Sequence, residues 1–266
     1  MIQQDRADGD TRMTSTERSA GYRGPAARWE SRRRRKHQGG QPAAGSTWWA
    51  PAARGWWIAV LFAVGSLLFA VGALPPYASA VGARWDNVTF FIGSLFFTSA
   101  AFLTYREAVD ASPPAQNPAH RRFFTYQPRR IDWWATAVQL AGTVYFNVST
   151  GTAMAAGLSA QTAHQHVWRP DAIGSACFLV ASALAWFEVA HGWLAWRPRS
   201  WAWWITLANL VGSVAFGISA VASYVDPATG QLRNAERANL GTLAGAVCFL
   251  IGALLLLPER TEETSG

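Results

Sequence analysis

Three glutamates follow three glycines at one spacing: Glu107, Glu188 and Glu259 stand fourteen residues after Gly93, Gly174 and Gly245. A carboxylate in or beside an apolar run is a default candidate for an ion or proton site. Glu188 has apolar neighbours in Phe187 and Val189, and His191 follows three positions on. A helix would place Glu188 and His191 on one face, a pairing suited to relaying a proton or holding a cation. Glu107 beside Arg106 and Glu259 beside Arg260 fit ion pairing at a membrane edge instead. At a rise of ~1.5 Å per residue, fourteen residues carry each glutamate about 21 Å past its glycine, toward the edge of a ~30 Å hydrocarbon core. Glu188, His191, Glu107 and Glu259 are therefore the candidate ion-relay residues.

Other reactive side chains point to less chemistry. His164 and His166 could clip a metal at two points, but zinc needs a third protein ligand, so they read as solvated loop residues. Cys177 and Cys248, the two cysteines of the chain, each stand three residues after a glycine and read as small packing groups. Two cysteines exclude a disulfide framework. The chain has no phosphate-binding glycine loop, no Gly-x-Ser-x-Gly and no His-Glu-x-x-His. No catalytic, cofactor or metal site is expected, and an enzyme is not.

The elements that would hold these residues are apolar. Half of the 266 residues are hydrophobic and 15% are charged. Six runs are long enough to cross a bilayer, approximately 56–75, 87–105, 133–155, 171–193, 202–225 and 239–257. They lack the alternation of barrel strands, so the expected fold class is an all-α integral membrane protein with six transmembrane helices.

Those helices fall into three tandem two-helix hairpin repeats. Paired tryptophans (Trp56-Trp57, Trp133-Trp134, Trp203-Trp204) open three runs, and the second of each pair precedes a glycine by eight positions: Gly65, Gly142 and Gly212. Pro51, Pro128 and Pro198 each stand six residues before that second tryptophan, and an aromatic stands two before each proline (Trp49, Tyr126, Trp196). Gly93, Gly174 and Gly245 mark the partner helices, and all six glycines have a phenylalanine four residues later. Glycine and phenylalanine at that spacing share a face, a dent beside a ring. Membrane helices associate through such close packing, so the six glycines read as helix-packing positions. The 15 tryptophans read as an aromatic belt at the headgroup level. Asn147 and Asn209 sit inside apolar runs, where an amide can hydrogen-bond across helices.

The expected organisation is a basic tail at 1–47, hairpins at 48–108, 126–189 and 190–260, a linker at 109–125 and a C-terminal tail at 261–266. The tail is too polar to repay ordering and is expected to be disordered. Its run Arg32 to Lys36 is suited to anionic headgroups, whereas a nucleic-acid role would rest on that cluster with no recognised nucleic-acid fold beside it. Ala78-Ser79-Ala80 resembles a signal cleavage site, but the long polar region before the first run and its repeat markers favour an uncleaved helix. Loops between hairpins carry seven arginines against four within hairpins, which places both termini in the cytoplasm.

The unit around Phe-Phe-Ile-Gly-Ser-Leu-Phe-Phe (residues 90–97) and Ala-Ile-Gly-Ser-Ala-Cys-Phe-Leu (172–179) resembles the YrhK-like domain, a short bacterial module of two membrane helices. The third copy departs from it, with Ala246 in place of the serine. The resemblance implies a bacterial cytoplasmic membrane location and a packing role, and transfers no catalytic residue. The functional expectation is a non-enzymatic scaffold or accessory protein, packed against lipid, itself or another membrane protein. The alternative is a small-solute, ion or proton transporter or channel that uses the repeat interface, with Glu188 as gate.

Overall fold

The computed structural model describes residues 48–111, 126–190, 196 and 198–258. The basic tail with Arg32 to Lys36, most of the linker, His191, Glu259 and the C-terminal tail lie outside them. Six long helices carry the described chain: α1 (Arg54–Gly72), α2 (Ala83–Asp110), α3 (Ile131–Ala153), α4 (Arg169–Ala190), α5 (Trp201–Ala222) and α6 (Ala235–Leu255).

Local chemistry sets their ends. Pro75 and Pro76 lack backbone N–H groups and close α1, leading into a short helix, Pro75–Val81. Gly82 then turns the chain into α2 at φ 79°, a left-handed conformation that side chains disfavour. Asn234 caps α6, its Oδ1 accepting from the Arg237 backbone N–H at 2.8 Å. Between α3 and α4 the Ser159 hydroxyl accepts from the Thr162 N–H at 3.1 Å. The chain continues through Ala160–Thr162 and a π-helical turn, Ala163–Trp168, into α4. His164 and His166 are therefore helical, a correction to the expected loop.

Each helix packs against the next in sequence, and α6 packs against α1, so the six close into a ring. Five are long and apolar enough to cross a membrane, α4 being counted with its preceding turn as Ala160–Ala190. The helix outside that group is α3, 23 residues long but interrupted by Asp132, Gln139, Asn147 and a series of hydroxyls. Leu67, Ile92, Val144, Val180, Val214, Ile218 and Ile251 are exposed on the outside of the bundle. Glycine, serine, alanine and phenylalanine are buried within it. Large aliphatics outside and small residues inside fit a multi-pass membrane protein, whose surroundings are as apolar as leucine.

Candidate functional site

The centre of the ring is filled by six phenylalanines. Phe69, Phe146 and Phe216 from α1, α3 and α5 form one triangle, with ring centroids 6.1 to 6.3 Å apart. Phe97, Phe178 and Phe249 from α2, α4 and α6 form a second, at 5.6 to 6.2 Å. Within each hairpin the two triangles touch: 5.3 Å for Phe69–Phe97, 5.2 Å for Phe146–Phe178 and 5.5 Å for Phe216–Phe249. Most of these contacts are edge-to-face, the arrangement that the aromatic quadrupole favours.

The glycines four residues earlier let the rings meet. A Cβ on Gly65 would lie 3.0 Å from the Gly93 carbonyl oxygen and 3.0 Å from the Phe97 ring. At Gly142 it would meet the Gly174 carbonyl at 3.1 Å and Phe178 at 3.0 Å, and at Gly212 the Gly245 carbonyl at 3.0 Å and Phe249 at 3.1 Å. Gly93, Gly174 and Gly245 face back onto Phe69, Phe146 and Phe216. The residue after each glycine is buried too: Ser66, Ser94, Thr143, Ser175, Ser213 and Ala246. Cys177 supplies the wall beside Gly142 and Cys248 that beside Gly212.

The paired tryptophans divide into two packing roles. The first of each pair (Trp56, Trp133, Trp203) is buried, whereas Trp57, Trp134 and Trp204 are exposed. Each exposed indole donates its N–H to the carbonyl of the proline six residues earlier: Pro51 at 2.9 Å, Pro128 at 3.1 Å and Pro198 at 2.9 Å. Each buried one takes an aromatic edge from Trp49, Tyr126 or Trp196. The proline–tryptophan spacing was the visible signal of that hydrogen bond, since a proline carbonyl just before a helix lies within reach of an indole one turn inside.

The carboxylates gather at helix ends. Glu107 and Glu188 lie near the C-terminal ends of α2 and α4, half-buried, and both are engaged by neighbouring groups. Beside Glu107, Asp110 accepts from Arg54 at 2.6 Å and from Arg106 at 3.3 Å. Arg54 is nearly half exposed, so its pair contributes at most about 1 kcal/mol. Asp132 is buried at the start of α3 and is held by Arg130, which also donates to Gln127 at 2.7 Å. Neither Asp110 nor Asp132 was among the sequence candidates, because each needs a partner that only packing or a turn brings near.

At the opposite ends of α2 and α3, the Asn87 amide donates to the Ala153 carbonyl at 2.7 Å. The Trp168 indole donates to the Ala220 carbonyl at 2.9 Å, joining α5 to the turn before α4. His164 stacks on Trp168 with centroids 5.0 Å apart, and Tyr224 meets both rings edge-on. Among the described residues no three of His, Cys, Asp and Glu converge as a metal site. Comparisons with protein-family models, curated proteins and solved structures find no match to the chain.

Proposed function

We propose that the chain is a non-enzymatic scaffold or accessory protein of the membrane, built as three tandem hairpins with six spanning helices around a pseudo-threefold axis. The observation that carries this reading is the filled axis. Six phenylalanine rings occupy the place where a central solute path would run. The residues that recur from hairpin to hairpin, glycine with phenylalanine and proline with tryptophan, pack and anchor. The recurring residues that can ionise are the glutamates, and the two of them among the described residues, Glu107 and Glu188, stand at helix ends and are engaged by neighbouring groups.

The resemblance to the YrhK-like domain agrees with this reading and adds a bacterial cytoplasmic membrane, and the arginine balance of the loops puts both termini inside. The arginine-rich tail then lies against anionic headgroups, leaving the outer aliphatic faces for lipid, a second copy or another membrane protein. Crosslinking in intact membranes tests it. A specific second chain, of this protein or another, is the expected capture, and consistently uncrosslinked monomer sinks the scaffold. In proteoliposomes, solute flux abolished by Glu188→Gln would replace the reading with a transporter.

A further inference from the structure

Two helix faces contrast when α3 and α1 are aligned on Gly142 and Gly65. Positions spaced by three or four residues along α3 read Asp132, Thr136, Gln139, Thr143, Asn147 and Thr150, one polar stripe over the whole helix. The same positions of α1 read Gly55, Ala59, Phe62, Ser66, Ala70 and Ala73. Across from the stripe, α2 offers Asn87, Ser94 and Thr98. The Asn147 amide donates to the Thr98 hydroxyl at 2.8 Å, and Ser94 and Thr150 share a hydrogen bond of 3.0 Å.

The polar groups there exceed the partners that the protein supplies. The Thr98 hydroxyl already accepts from Asn147 and donates to the Ser94 carbonyl at 3.0 Å. Asn147 Oδ1 is buried with no protein partner. Turning the amide round leaves one of its ends in the same position. Of the four buried side-chain polar atoms without a protein partner among the described residues, three are on α2 or α3: Asp86 Oδ1, Asn147 Oδ1 and Trp133 Nε1. A buried, unpaired polar group is destabilising, and buried water is the usual means of relief.

We propose that the α2–α3 interface binds ordered water, in a hydrated lane that enters beside Asp86 and Asn87 and reaches Asn147, less than two turns inside the C-terminal end of α3. Asn147 Oδ1 accepts from one of these waters, and Ser94 and Thr150 line the route between. The lane runs beside the phenylalanine-filled axis, so the protein carries a hydrophilic invagination while its centre stays dry.

Thiol labelling reads this directly, because the reactive thiolate forms only where water reaches. In a Cys177→Ala, Cys248→Ala background, Asn147→Cys and Thr150→Cys are compared with Ala70→Cys and Ala73→Cys, their counterparts on α1. A membrane-impermeant methanethiosulfonate reagent is applied to the full-length protein in lipid vesicles open to both faces. The α3 thiols should react about tenfold faster or more than the α1 thiols. Equal rates, or labelling at Thr150→Cys without Asn147→Cys, overturn the lane. If Asn147→Cys does not fold, Thr98→Cys reads the same depth from α2, and its protection overturns the proposal equally.

Discussion

The first hairpin has a neighbour on each side, and the two contacts have opposite interiors. On one side α2 meets α3 through hydroxyls and amides, three hydrogen bonds between side chains or from side chain to backbone. On the other, α1 meets α6 with no side-chain hydrogen bond between them among the described residues. Ser66, fully buried, has no partner there. The α4–α5 contact shows what is missing. Ser213, the counterpart of Ser66, bonds Ser182 at 2.7 Å and the Phe178 carbonyl at 3.2 Å, whereas the position matching Ser182 on α6 is Ala253. The α6–α1 contact is also the one that no hairpin-to-hairpin loop crosses, since it joins the first helix to the last. One backbone plan thus accepts a wet interface and a dry one, because glycine and phenylalanine set helix approach and the neighbouring positions are free to vary.

The strongest way to break the comparison is to remove what both interfaces share. Phe97→Ala deletes a ring in contact with Phe69, Phe178 and Phe249, and should cost about 3–5 kcal/mol. Unfolding in detergent or by steric trapping would measure it, and a loss below a tenth of that range would show that the rings do not close the bundle. Gly212→Val comes next, at about 1–3 kcal/mol, because its Cβ meets the Gly245 carbonyl. Gly217, with open space around its Cβ position, is the control: Gly217→Ala should leave the thermal midpoint unchanged or raise it.

Smaller substitutions sharpen the difference between the wet and dry sides. Thr98→Val removes the hydroxyl that accepts from Asn147 and should cost about 1–2 kcal/mol, while Ser66→Ala at the dry contact should be neutral or slightly stabilising. Equal losses from the two, compared by thermal shift, would erase the distinction. The smallest effect is a gain. Ala253→Ser should offer Ser66 the partner that Ser182 gives Ser213 and stabilise by about 0.6 kcal/mol, the average for such bonds between membrane helices. No gain in Ala253→Ser, together with none of it lost in the Ser66→Ala, Ala253→Ser double variant, would show that the two positions do not face each other.

Local periodicity determined much of this protein before any packing was known. Runs of apolar residues mark where the helices lie, because a helix in lipid must satisfy its own backbone. Glycine followed by phenylalanine four residues on determines which face carries a dent and a ring, because 3.6 residues make a turn. The polar positions of α3 were equally readable as a stripe, although only Asn147 stood out when single residues were weighed.

Tertiary structure decided the rest. Asn147 and Thr98 are 49 residues apart, and their bond depends on how α2 and α3 are rotated about their axes. Burial of Trp133 and exposure of Trp134 depend on the same rotation. The closing of α6 on α1, and with it the stacking of six phenylalanines rather than an open axis, depends on which neighbour each face selects. Lipid and protein are nearly equal as apolar surroundings, so hydropathy cannot make that selection. Shape does, through contacts of a few ångströms between residues that the chain keeps far apart.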